Sequence, residues 1–492
     1  VKPVTLLAVL VVVGILAAFG LARKGPAVKA DGAVAKDEAA GSLDEVDLQG
    51  EGSQIKLLEG QVEYLEGQVR VLREENSALL EQLGRLGMKD GGGKMSPGGV
   101  GSTEVEPDFV GMGLDLVKLR ELEALPTAAL PVPAEVIEEK ILKWLRARQP
   151  EDRGERFGRA LHALGLIPEA VDPLPLRAAL LVRQLGAWYD AEEGTLLVDE
   201  VMLAGGGQSF REALGLSLAQ VLREFGERMF PVGQGSALTF DEQLAREAVL
   251  AGDAGLTRFL YTLQHPEVQN REELPPEDPD HPFNQVPIPQ FLRQTHFFPF
   301  AEGFEFMQGL HGAGAFAQMN AAYSRPPKNT AEVLDSEAYL AGRALLVEKL
   351  TMAAVKVGGE MPFWEDGLGK YAILTALKAW NEPERAGLGA QGWVADRLLT
   401  YPAKDAKQRG HAVWQTLWQD AEWSEAFFRA MAECLRQRYS VPLTGKETGV
   451  ISFEAQGRFV TLMKNRGGAG VVLVDAGEGE LAKELLKVYR GE

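Results

Sequence analysis

Apolar and polar positions change their period several times along the chain. Positions 3–22 (PVTLLAVLVVVGILAAFGLA) form an uncharged run, about the length that crosses the hydrocarbon core of a bilayer. Residues 1–24 are expected to form a transmembrane anchor. A cleaved signal peptide is the rival reading, because Gly20-Leu21-Ala22 places small residues at a cleavage position. The length of the run and Arg23-Lys24 directly after it favour the anchor. Residues 25–52 are small, polar and rich in Gly, Ala and Asp, the composition of a flexible spacer.

From 53 to 87 the period becomes 3.5. With Ile55 at position a, the seam runs Ile55, Leu58, Val62, Leu65, Val69, Leu72, Asn76, Leu79, Leu83, Leu86. The first a positions are β-branched and the d positions are leucine, the combination that favours a parallel two-stranded coiled coil. A lone Asn76 at a fits that choice, since one polar a residue fixes register. The predicted partner is therefore a second copy of this chain, in a parallel homodimer. Residues 88–105, with GGGKMSPGGVGS at their centre, read as a Gly-rich linker.

The body, 106–492, is mostly of helical period. One hairpin is predicted, Trp188 to Asp190 with Thr195 to Val198, turning at Glu193-Gly194. Near the end, Arg458 to Met463 and Val471 to Val474 flank a Gly-rich turn before a helix over Glu480 to Tyr489, a C-terminal ββα element. The helix from about Phe210 to Phe230 has one apolar face, Leu214, Leu218, Val221, Leu222, Phe225 and Met229. By spacing alone Gln220, Arg223, Glu224 and Glu227 belong to its solvated side.

Composition narrows the function classes. A net charge of −19 and the absence of a basic stripe argue against a nucleic-acid partner. Cys434 is the only cysteine, so no intrachain disulfide and no cysteine metal site can form. It lies in a helical stretch and reads as a core thiol rather than a nucleophile. There is no Gly-x-Ser-x-Gly elbow and no P-loop Lys-Ser/Thr.

Six short segments, in order, carry a family resemblance. They are Ala187-Trp188-Tyr189-Asp190; Leu218 to Glu224 (LAQVLRE); Asp241 with Ala245 to Ala254 (AREAVLAGDA); Pro326 to Leu334 with Tyr339; Gly392-Trp393-Val394-Ala395-Asp396-Arg397; and Trp414 to Trp418. Together, over about 185–475, they resemble a bacterial gluzincin-like family of membrane-associated metalloproteases with HExxH and Glu-Gly-Asp-Ala motifs. The resemblance implies two zinc-binding histidines four apart, a general base between them, and a glutamate as third ligand. Here those positions hold Gln220, Val221, Glu224 and Ala251. A neutral amide is a poor zinc ligand, valine takes no proton, and a single carboxylate is too few. The six histidines show no paired ligand spacing. Gly252-Asp253-Ala254 persists, and Tyr189, Gly252 and Asp253 are expected to line whatever cleft remains.

The expected fold class is mainly α (α+β): a helical metalloprotease-like body with small β elements, preceded by a transmembrane helix and a parallel dimeric coiled-coil stalk. The expected function is non-catalytic, with no cofactor and no metal: a membrane-tethered pseudoprotease that binds a peptide or protein, or scaffolds the cell envelope. Two alternatives stand beside it, a structural spacer with a collapsed cleft and a hydrolase with a rebuilt active site. Arg23, Lys24, Lys29 and Lys36 after the first span favour a cytoplasmic body under the positive-inside rule. The resemblance implies an extracytoplasmic one, and that placement is adopted.

Overall fold

The computed structural model describes residues 109–489 apart from 124–128, 202–209, 231–237, 266–285, 343–349, 351–353, 406–407, 443–448 and 466. The expected anchor, spacer, coiled coil and linker lie outside the described residues. Among the described residues no helix is long and apolar enough to cross a membrane.

In chain order the elements are α1 Phe109–Arg120, β1 Ala129–Val132, α2 Ala134–Ala147, α3 Arg153–Leu164, α4 Pro173–Leu185, β2 Ala187–Asp190, β3 Thr195–Asp199, α5 Phe210–Met229 and α6 Phe240–Gln264. There follow α7 Gln290–Ser324, α8 Thr330–Val333, α9 Ser336–Leu340, β4 Trp364–Asp366, α10 Gly369–Lys378, α11 Pro383–Ala390, β5 Trp393–Tyr401 and β6 His411–Trp418. The chain closes with α12 Ala421–Tyr439, β7 Val450–Ala455, β8 Arg458–Lys464, β9 Gly470–Ala476 and α13 Gly479–Tyr489.

The expectation of a mainly helical body is corrected by the second half. A six-stranded antiparallel sheet, in the order β4-β5-β6-β9-β8-β7, makes the fold a mixed α/β one. The segments Trp393 to Arg397 and Trp414 to Trp418 are strands of this sheet. Their apolar residues do not alternate with polar ones, because both faces are covered. Helix α12 packs Phe427 and Phe428 with Trp414 and Trp418 on one side. Helix α13 packs Ala482, Leu485 and Tyr489 with Val413, Val472 and Val474 on the other. Spacings of four, as in Trp414 and Trp418, fit a strand's period of two as well as a helix turn.

The first half is helical around a separate core in which Leu214, Leu218, Val221 and Phe225 of α5 meet Ala245, Ala248 and Val249 of α6 and Phe298, Phe306 and Met307 of α7. A small sheet of order β1-β3-β2 lies beside it, and its β2-β3 hairpin follows the predicted one, turning through Gly194 at φ +65°. Helix α6 starts at a capping box, Thr239 with Glu242, which fixes where the chain turns into it. Helices α6 and α7 cross almost backbone to backbone. A Cβ on Gly252 would lie 2.0 Å from the Gly303 carbonyl oxygen, and one on Gly303 would lie 2.3 Å from that of Ala248.

Candidate functional site

The four positions that the resemblance singles out, Gln220, Val221, Glu224 and Ala251, sit on α5 and α6. Gln220 is only 3% exposed, and its Nε2 donates to the Gly113 carbonyl of α1 at 2.8 Å. Its Oε1 is buried without a hydrogen-bond partner. Val221 points into the helical core. Glu224, one turn beyond Gln220, is exposed, as are Arg223 and Glu227. The solvated-face reading therefore holds for those three and fails for Gln220, which α1 covers.

Helix α1 reaches this place because its own sequence is apolar where it meets α5 and α6. Met112 and Leu116 pack with Ala213, Leu216 and Ala219 of α5, Tyr261 of α6, and Ala187, Leu196 and Val198 of the small sheet. Tyr189 packs on the edge of the same cluster, half-buried. The side of α5 that carries Ala219 and Gln220 is thus closed by core side chains rather than open as a groove.

Ala251, at the third-ligand position, is buried, and Gly252 is taken up by the crossing with α7. Asp253 is wholly buried, and its carboxylate is fully engaged. It receives Arg120 Nε on Oδ1 at 2.7 Å and Arg120 Nη2 on Oδ2 at 2.8 Å. Tyr323 Oη donates to Oδ2 at 2.7 Å and Thr257 Oγ1 to Oδ1 at 3.2 Å. Arg120 also donates to Asn320 Oδ1 at 2.7 Å, and its guanidinium lies 4.8 Å from the Phe316 ring centroid. Burial and the Asp253 charge push the Tyr323 phenol well up, so it acts here as a donor. Asp253 is therefore an anchor for α1 and α7 rather than a cleft residue. Arg120 and Tyr323 carry no signal that sequence reasoning could use, because their partner is far along the chain.

Other pieces of the motif series also meet at structural joints. Thr330 donates through N and Oγ1 to Asp241 Oδ1, at 2.9 and 2.6 Å. Asp396 on β5 accepts from Leu368 N, Gly369 N and Trp414 Nε1 at 2.9, 2.8 and 2.9 Å. Gly369, at φ +87°, leaves room for Asp241, whose Oδ1 would lie 1.9 Å from a Cβ there. Asp366 accepts from Phe240 N and Gly367 N, both at 2.9 Å. Burial pushes Asp241 and Asp366 up to about 7, and the Asp396 charge adds to both. Backbone amides, the Thr330 hydroxyl and the Trp414 indole hold these carboxylates, with Arg153 Nη2 3.6 Å from Asp366 Oδ2; they join α6 to the large sheet, and none is on the α5 face.

Among the described residues no group of three or more His, Cys, Asp or Glu is placed to hold a metal ion. His296 is buried, with Nε2 2.9 Å from Gln184 Oε1, and burial lowers it to about 3. Cys434 is buried in α12, 3.1 Å from Asn381 Nδ2, and burial pushes its thiol up to about 12, against use as a nucleophile.

Residues 363–485 match a domain of unknown function, DUF8575. The match begins one residue before β4 and takes in the six-stranded sheet, α10 to α12 and most of α13. No curated protein matches the chain. No solved structure matches it.

Proposed function

We propose that this body is a non-catalytic pseudoprotease whose former zinc face serves structure, so that any recognition uses another surface. The observation that carries the reading is the burial of Gln220 under α1, with its amide on the Gly113 carbonyl. A zinc hydrolase needs a ligand set, a base and an open position for water and substrate. At these positions stand an amide, a core valine, an exposed carboxylate and a buried alanine. Of the readings drawn from the sequence, a closed cleft fits this packing better than an open peptide groove. The aspartates that burial shifts upward lie at the α6–sheet joint and not on the α5 face, held by backbone amides, the Thr330 hydroxyl and the Trp414 indole.

The test is accessibility together with chemistry. Cys434 is buried, so a Gln220→Cys variant reports on one site. It should react with a maleimide far more slowly than Glu224→Cys, and the unmodified chain should cleave no peptide. Equal labelling rates, or a peptidase activity abolished by a chelator, would overturn the reading.

A further inference from the structure

Among the described residues, three arginines gather around Asp475 of β9. Arg458 Nε and Arg409 Nη2 meet its carboxylate at 2.7 and 2.5 Å, and Tyr439 Oη donates to it at 2.5 Å. Arg438 is the third guanidinium. Its Nη1 donates to the Leu164 carbonyl at 2.8 Å, and it approaches Asp475 no closer than 3.9 Å. Three cations against one carboxylate leave a local excess of about two positive charges by the usual protonation states. Arg458 is saturated by Asp475 and the carbonyls of Arg409 and Gly410, and Arg409 by Asp475, the Ala163 carbonyl and the Tyr439 hydroxyl. Arg438 is not. Burial and the neighbouring Arg409 lower its pKa.

Arg409 and Arg438 both line an open cavity of 600 Å³, together with His162, Gln290, Gln294 and Trp380. That volume is within the range of small-molecule sites, roughly 300–1,000 Å³. The lining also includes the start of α7, through Pro289, Gln290 and Phe291. That helix starts from Pro289, which supplies no side-chain cap, and the amino end of a helix carries partial positive charge. Gly165, the left-handed C-cap of α3, is required here: a Cβ would lie 1.3 Å from Arg438 Nη2. Trp380 is 41% exposed and offers a flat apolar face to the organic part of a ligand.

We propose that this cavity is a binding site for a small organic anion, a phosphate or carboxylate attached to a planar apolar group. The anion sits at Arg438 beside the amino end of α7, with the engaged Arg409 adding only its charge, and the apolar group lies on Trp380. The site is built from residues other than those of α5 and α6, and it stands whether or not the α5 face is closed. The net charge of −19 makes general anion attraction weak, so binding depends on these groups.

Calorimetric titration of the full chain tests the site with four probes: phenyl phosphate, benzoate, inorganic phosphate and phenol. Phenyl phosphate or benzoate should saturate at one site per chain, and phenol should give no saturable heat. The tighter of the two anions assigns the headgroup as phosphate or carboxylate. Arg438→Gln should weaken the preferred anion by about tenfold or more, as loss of a charge-assisted pair does. Trp380→Ala, at an exposed position that the fold tolerates, should bring phenyl phosphate down to the affinity of inorganic phosphate. The proposal is overturned if neither anion binds saturably, if Arg438→Gln leaves binding unchanged, or if Trp380→Ala leaves the phenyl compounds as tight as before.

Discussion

Arg120 and Asp253 meet edge to edge, Nε on Oδ1 at 2.7 Å and Nη2 on Oδ2 at 2.8 Å, and both side chains are 0% exposed. This pair ties the C-terminal end of α1 to the middle of α6 and so holds α1 over Gln220. Breaking one half of a buried pair leaves a charge without compensation, at a cost of about 3–5 kcal/mol. Arg120→Met and Asp253→Leu should each destabilise by that order in chemical denaturation. The double variant should recover much of the loss, because no buried charge remains. Single variants within 1 kcal/mol of the parent, roughly the worth of an exposed pair, would show that the pair is not buried in solution.

The crossing of α6 and α7 makes opposite forecasts for two glycines of the same helix. Gly303→Ala puts a Cβ 2.3 Å from the Ala248 carbonyl oxygen, so the backbones must part. A loss of about 1–3 kcal/mol is expected. Gly312→Ala meets nothing within 4 Å and, in the last turn before the kink at Gly314-Ala315, should gain up to about 0.5 kcal/mol from helix propensity. Melting temperatures moving in the same direction would refute the crossing.

The buried carboxylate at Asp241 sets a pH dependence. Its folded pKa is raised to about 7 by burial, with the Asp396 and Glu242 charges adding, from an ordinary value of 3.8. The folded state therefore holds a proton that the unfolded state releases between these values. Its contribution to stability is full below the unfolded pKa and is lost as pH rises towards 7. Asp241→Asn keeps an oxygen for Thr330 but cannot ionise. The variant should gain on the parent as pH rises from about 4 to 7, by at least about 1 kcal/mol, since one pKa unit is about 1.4 kcal/mol. A difference that is flat with pH, followed by thermal melts, would contradict this.

How much of this was legible beforehand depended on the range of the interactions. The β2-β3 hairpin and the β8-β9-α13 unit are local, and Gly194 and the turn before β9 marked them. The strands β5 and β6 were hidden because α12 and α13 bury both of their faces, which removes the polar-apolar alternation that identifies a strand. The α5 helix was readable from its apolar face, but the burial of Gln220 was not, since Gly113 lies 107 residues earlier. Asp253 was singled out by motif and expected in a cleft. Its partners Arg120 and Tyr323 come from α1 and α7, and only the assembled fold places them together. Asp475, Arg409 and Arg438 gathered from three elements without any spacing to signal them.

The closed face of α5 also changes what rebuilding a zinc site would require. Gln220→His, Glu224→His and Ala251→Glu restore the three ligand types that the resemblance implies, two imidazoles and a carboxylate. Residues 220 and 224 are one turn apart, so both imidazoles can lie on one side of α5. Residue 220, however, is beneath α1, where Gln220 donates to Gly113 O. Zinc must therefore displace α1 from Gln220's place, and that opposes binding through the Arg120–Asp253 pair. The triple variant should bind zinc weakly, and adding Arg120→Met should tighten binding by freeing α1, even as it lowers the stability of the zinc-free protein. Competition with a chromogenic chelator measures both. Val221→Glu on that background adds a general base only if the residue leaves the core it occupies with Phe225 and Leu218, so metal binding should return well before hydrolysis. Zinc affinity that is strong in the triple variant and indifferent to Arg120→Met would mean that α1 does not guard this face.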